Sequence, residues 1–170
     1  MPSVLRTAVH RSGLSRPVRH ALVSVSMAGA LVAALAPAVE AAPAASNPCP
    51  KGYVRIVCVD LNRQSLWMQD ASGKRTFGPV PIRSGRKGFA TRTGMKKIFA
   101  KYEKDYSRLY HVSMPYAQYF DGGQALHAYA GAITNPPGSH GCVNMRHADA
   151  KKVFSLTRNG DRVYIWGRRP

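Results

Sequence analysis

From Tyr53 to Gly167 the chain is written in short β-type runs closed by turn signals, and this punctuation most restricts the fold. "YVRIVCVDL" (Tyr53 to Leu61) is β-branched and alternating, and "SLWMQD" follows after the short turn "NRQ". Stiff β-branched side chains fit a pleated surface, so the pair predicts a hairpin. "DASGKR" is a second turn, leading into "TFGPVPIRSG", where Pro79 and Pro81 cannot donate ladder hydrogen bonds. An edge or bulged strand is expected there. "GRKGFATRTG" reads as a glycine-punctuated loop and "MKKIFAKYEK" as a strand or a short helix. "LYHVSMPYAQYF" is aromatic and β-like but broken at Pro115, "QALHAYA" is a short apolar run, and "ITNPPGSHG" is loop. One segment departs from the pattern. "MRHADAKKVFSLTRNG" spaces Ala148, Val153 and Leu156 for a helical face, with Gly160 as its stop signal. "DRVYIWG" closes as a strand. The expectation is a mostly β, sandwich- or barrel-like domain with one main α-helix near the C-terminus.

The first forty residues follow another rule. Met1 to His20 carries Arg6, Arg11, Arg16 and Arg19 with no acid, and Ala21 to Val39 is uncharged and rich in Ala, Val and Leu. "EAAPAAS" follows, with a small-residue cut plausible after Ala38 or Ala41. This order predicts a cleaved export signal over residues 1–41. The alternative is a retained anchor, since such a run could just span a bilayer. A Pro/Ala-rich linker is expected over 42–51 and the folded domain over 52–170. The chain holds 25 Lys and Arg against 8 acidic residues, a formal charge of +17. Losing residues 1–41 removes four arginines and Glu40, which leaves +14. Such a charge attracts polyanions. Export makes nucleic acid a poor partner and favours anionic wall or surface polymers.

Cys49, Cys58 and Cys142 are the only cysteines. Outside the cell, Cys49 and Cys58 could pair across the short segment between them, leaving Cys142 as a reactive thiol. The rival pairing of Cys142 with either of them would make it structural. A thiol nucleophile needs a base and oxyanion donors. His127, in "QALHAY", is the candidate base, because His140 stands too close along the chain. The Gly141 and Cys142 amides could face an oxyanion. Taken singly, His127 also suits a hydrogen-bonded structural role, and Cys142 that of a small buried thiol. His111, His127, His140, Cys142 and His147 are possible zinc ligands, but no C-x-x-C or HExxH motif and no acid near His127 accompanies them. No metal or cofactor is expected.

"SHGCVN" (Ser139 to Asn144), with His127 upstream, resembles the active-site motif of the L,D-transpeptidase (YkuD-like) family. "VDLNRQSLWMQDASG", "GPVPIRSGRKGFATRTG", "MPYAQYFDGGQALHAY" and the closing "NMRHADAKKVFSLTRNGDRVYIW" resemble the rest of its domain, from about Val54 to Trp166. The resemblance implies a Cys142 nucleophile and a His127 base. It also implies His140, Gly141, Ser139 and Asn144 as oxyanion, substrate or loop-ordering residues. Peptidoglycan stem peptides would be the substrate, cross-linked by a monomeric enzyme. A carboxypeptidase, or an inactive wall-binding domain, are the alternatives. Three positions differ from the family pattern. Ala128 stands where Gly usually follows the histidine, Arg92 replaces Pro in the "TRTG" turn, and only twelve positions separate His127 from Ser139.

Overall fold

Most strands form where the β-branched and aromatic runs predict them, and the pairing decides the rest. The strands are β1 (Ile56–Asp60), β2 (Ser65–Gln69), β3 (Arg75–Pro81), β4 (Gly94–Lys97), β5 (Ala100–Tyr102), β6 (Tyr106–Ser107), β7 (Val112–Ser113), β8 (Ala117–Asp121), β9 (Gln124–Ala128) and β10 (Val143–Met145). Helix α1 (His147–Leu156) and β11 (Arg162–Trp166) complete the chain. This computed structural model describes residues 48–134 and 136–169. The segments read as an export signal lie outside the described residues. Among those residues no helix is long and apolar enough to cross a membrane.

A five-stranded sheet runs β3-β2-β1-β11-β4 and a four-stranded sheet β10-β9-β8-β5, with β6 and β7 as a separate ribbon. Strand β1 is buried at every position. It lies antiparallel to β2 and parallel to β11, so the last strand closes against the first. Its alternate side chains enter two cores, which is why it reads as a continuous apolar run. Val57 and Val59 join the main cluster with Leu66, Met68, Leu126, Val143 and Ile165. Ile56 and Cys58 pack with Cys49 and Trp67 on the other face. Asp60 Oδ1 accepts the Asn62 and Arg63 N–H groups, at 2.9 and 3.1 Å, and turns the chain into β2. Cys49, placed in the linker by the sequence, is buried and disulfide-bonded to Cys58, with Cα atoms 5.8 Å apart.

Strand β3 sits at the sheet edge, as its prolines require, and its pairing with β2 is bulged at Met68. One open choice is settled and two local expectations need correction. "MKKIFAKYEK" forms no helix; it is two strands, β4 and β5, in different sheets. Ile98 lies wholly buried where the chain passes between them, its N–H donating to Asp161 O at 2.9 Å and that of Phe99 to Tyr119 O at 2.9 Å. The loop after "SHGC" also does not run straight into the helix, because Val143–Met145 first pairs as β10. Finally, α1 ends at Leu156, ahead of Gly160. The Thr157 hydroxyl donates back to Val153 O at 2.9 Å, and Lys101 Nζ, on β5, meets Phe154 O at 2.6 Å. A cation from another strand thus covers the helix's exposed carbonyls, a contact absent from the helix's own sequence.

Ile98 contributes to the main core where the chain passes from the five-stranded to the four-stranded sheet. Ile98→Ala is expected to lower stability by roughly 2–5 kcal/mol, measured as a fall in urea midpoint at unchanged slope.

Candidate active site

Strands β9 and β10 run parallel, with Asn144 opposite His127. From the other side, residues following β3 are laced to the loop before β10. Arg83 and Asn144 exchange backbone hydrogen bonds, both 3.0 Å, Ser139 N–H donates to Ser84 O at 2.9 Å, and Arg86 N–H donates to Ser139 O at 3.0 Å. These ladders bring a histidine, a cysteine loop and an arginine-bearing strand together.

His127 is 3% exposed, and both ring nitrogens are engaged. Nδ1 lies 2.7 Å from Ala128 O. A carbonyl only accepts, so Nδ1 carries the proton and Nε2 is left as an acceptor. Asn144 Nδ2 fills that acceptor at 2.8 Å. The Asn144 amide is itself aimed by Arg83, whose Nη1 donates to Asn144 Oδ1 at 2.8 Å while Nη2 donates to Gly138 O at 2.8 Å. The guanidinium lies over the Tyr129 ring at 4.5 Å. Burial, against the favourable Ala128 carbonyl, lowers the His127 pKa below its ordinary value.

Ala128 does not disturb this arrangement. It lies in strand conformation, which any residue adopts, with its methyl in the main core and its carbonyl still on Nδ1. Arg92 goes further than the proline it replaces. Its N–H donates to Gln124 Oε1 at 3.0 Å, which proline could not do, and its Nε reaches Asp121 at 2.9 Å.

The Cys142 loop is braced from within. Ser139 Oγ accepts the Gly141 N–H at 3.0 Å and donates to the Cys142 carbonyl. Thr91 Oγ1 accepts from Gly85 N–H and donates to Gly141 O, both at 2.9 Å. Gly141 has φ +113°, and a Cβ there would lie 2.4 Å from Gln124 Nε2, so only glycine fits. The Gly141 amide, expected as an oxyanion donor, is therefore used by Ser139. The Cys142 N–H has no acceptor among the described residues. Cys142 is the free cysteine, half-buried, with Sγ 3.8 Å from Gly123 O. Burial raises its pKa, partly offset by the Ala125 backbone hydrogen bond.

His140 sits among aromatic rings. Its ring stacks on Tyr110 at 4.0 Å, meets Phe89 edge-on at 4.8 Å and accepts from the Arg86 guanidinium through Nε2. Desolvation and then Arg86 and Arg83 lower its pKa, which favours the neutral ring. His127, Ser139, His140, Cys142 and Asn144 line one cavity of about 210 Å³. A cleft of about 580 Å³ shares Tyr110, Met114, His140 and Cys142 with it. The thiol is thus reached from two sides. His111 and His147 line neither space. Arg83, Thr91 and Gln124 went unmarked in the sequence as site residues. The one available signal was a polar Gln three places before His127 in an otherwise apolar run.

The sequence profile of the L,D-transpeptidase catalytic domain (YkuD) matches residues 54–165. An L,D-transpeptidase from Stackebrandtia nassauensis is 42% identical over 71% of this chain and 59% of its own, with a TM-score of 0.68. One from Xylanimonas cellulosilytica is 24% identical over 71% and 63%, with a TM-score of 0.62. Another, from Mycobacterium tuberculosis, is 19% identical over 67% and 58%, with a TM-score of 0.60. The last two share the fold alone. This chain spans a little under two thirds of the length of these relatives. Among curated proteins there is no match.

Cys142 held up and His127 held down in pKa leave a neutral thiol–imidazole pair at pH 7. Burial disfavours the thiolate, so its fraction at any given pH is below that of a free thiol. The rate of Cys142 alkylation by iodoacetamide should therefore keep rising through pH 8.5, about the midpoint of an ordinary thiol. A plateau already reached below pH 7 would mean a preformed ion pair instead.

Proposed function

Because the chain belongs to the L,D-transpeptidase catalytic-domain family, we propose that it is an exported cysteine transpeptidase that cross-links peptidoglycan stem peptides. The observation that carries this reading is that the free cysteine, Cys142, and a base-tautomer His127 line one cavity, which meets a second cleft at Cys142. One cleft can seat an acyl donor and the other an amine acceptor.

Chemistry follows from the proton positions. The thiol proton passes to His127 Nε2, displacing the Asn144 N–H that occupies it at rest. The sulfur attacks the peptide carbonyl on the L-centre of a diamino acid in the donor stem. The Cys142 N–H is the oxyanion donor. As the C–N bond breaks, His127 returns its proton to the departing D-amino acid, leaving a thioester on Cys142. The side-chain amine of a second stem then attacks the thioester. His127 takes the amine's proton and gives it back to the sulfur as the cross-link leaves. Asn144 and Arg83 act as positioning residues: they hold the ring in the Nδ1–H tautomer, which alone presents a lone pair at Nε2. Ser139 and Thr91 hold the loop, and His140 shapes the donor wall. The positive surface, +17 over the full chain, favours a place near anionic wall polymers.

Incubation with a tetrapeptide stem is expected to release the terminal D-amino acid and form cross-linked dimer, and Cys142→Ala to do neither. Release without dimer would identify a carboxypeptidase using water. No release, with wall binding equal in both proteins, would leave only a binding module. A carbapenem adduct, traced by mass to the Cys142 peptide, would test the thiol independently.

A further inference from the structure

Tyr119 lines the larger of the two clefts that meet at Cys142. It stands on β8, half-buried, with the rings of Phe99 and Tyr102 each 6.2 Å away. Its hydroxyl donates to Asp105 Oδ2 at 2.7 Å. The other carboxylate oxygen, Oδ1, accepts the Tyr106 N–H at 2.8 Å, so both oxygens of Asp105 are engaged. Burial, and then the hydrogen bond and charge of Asp105, push the Tyr119 pKa up, and the phenol keeps its proton.

A phenol can ordinarily donate or accept. Here its one hydrogen is taken by Asp105, and what remains for the cleft is the oxygen's lone-pair density, strengthened by the carboxylate behind it. No donor reaches that oxygen among the described residues. Two other acceptors of the cleft are occupied, Gln124 Oε1 by the Arg92 N–H at 3.0 Å and His140 Nε2 by the Arg86 guanidinium. Arg92 and Arg108, which also line the cleft, have side chains that only donate. Tyr119 thus offers an incoming group an oxygen that receives an N–H and turns away carbonyl and carboxylate oxygens.

We propose that Tyr119 is a substrate-positioning residue that receives an N–H of the attacking side-chain amine, with Asp105 fixing its polarity. The proposal rests on the transpeptidase reading for the identity of that amine. A neutral primary amine has two N–H groups and one lone pair. Where the clefts meet at Cys142, Tyr119 takes one N–H from the larger cleft. His127, which lines the smaller, takes the other proton as the C–N bond forms. The lone pair is then directed at the thioester carbon, an orientation that favours aminolysis over attack by water.

Two variants test this. Tyr119→Phe deletes the oxygen and keeps the ring. Asp105→Asn keeps a partner for the phenol but inverts it. With Oδ1 still on the Tyr106 N–H, the new Nδ2 donates to Tyr119 and turns the phenol hydrogen into the cleft. In stem-peptide turnover both variants should release the terminal D-amino acid within about twofold of wild type, while dimer formed per D-amino acid released falls roughly three- to tenfold. An unchanged dimer-to-release ratio, or release and dimer falling together, would overturn the proposal. A second measurement needs no turnover. Cys142→Ala, alone and with each variant, is titrated with stem tripeptides ending in lysine, diaminopimelate or norleucine. An amine-bearing peptide should bind roughly three- to tenfold tighter than the norleucine peptide, and both variants should erase that preference. No preference, or one that survives Tyr119→Phe, would sink the amine site. A preference that depends on Tyr119, in a chain whose Cys142 form releases no D-amino acid, would count against the transpeptidase reading alone.

Discussion

A buried neutral imidazole must find one acceptor and one donor, and the site is arranged around how His127 does so. Leaving either nitrogen unpaired at 3% exposure would cost about 1–3 kcal/mol. The Ala128 carbonyl takes the proton side and Asn144 the lone-pair side. Asn144 is turned to do this by Arg83, whose guanidinium can only donate and takes its amide oxygen. The resulting order, Arg83 to Asn144 to His127 to Ala128, has a single consistent direction. It also sets a limit: the lone pair a base needs is covered until a proton arrives.

The same loop answers a second constraint, the exposure of a thiol without loss of order. Gly141 occupies a left-handed conformation against Gln124, Ser139 closes the turn, and Thr91 ties it to the preceding segment. Each brace spends a polar group on the loop, and the Cys142 N–H is the one left over. Cys142 lines both clefts. Charge is treated differently. Eight acidic residues cannot neutralise 25 cations, and Asp121 already serves two of them. Four cations without an acidic partner among the described residues, Arg86, Lys87, Arg168 and Arg169, line one cleft.

Much of the fold was legible because its rules are local. The β1–β2 hairpin, the edge placement of β3 through Pro79 and Pro81, and a single helix before the last strand follow from periodicity and proline chemistry. What failed was decided across the chain. Two strands, β4 and β5, belong to different sheets although four residues span their junction, from Lys97 to Ala100. The helix stops at Leu156 with help from Lys101, more than fifty residues away. No window of sequence contains either cause.

Residue identity alone determined that this chain could hold a thiol, a histidine and a glycine where a nucleophile needs them, since "SHGC" and "LHAY" carry their chemistry in their side chains. It also determined the basic charge. Tertiary structure decided what they touch. The parallel β9–β10 register set Asn144 against His127, the β3 extension delivered Arg83 and Thr91, and Ser139 rather than substrate claimed the Gly141 amide. The reason is physical: hydrogen bonds between distant segments depend on which backbones lie side by side, and that is settled only when the sheets close.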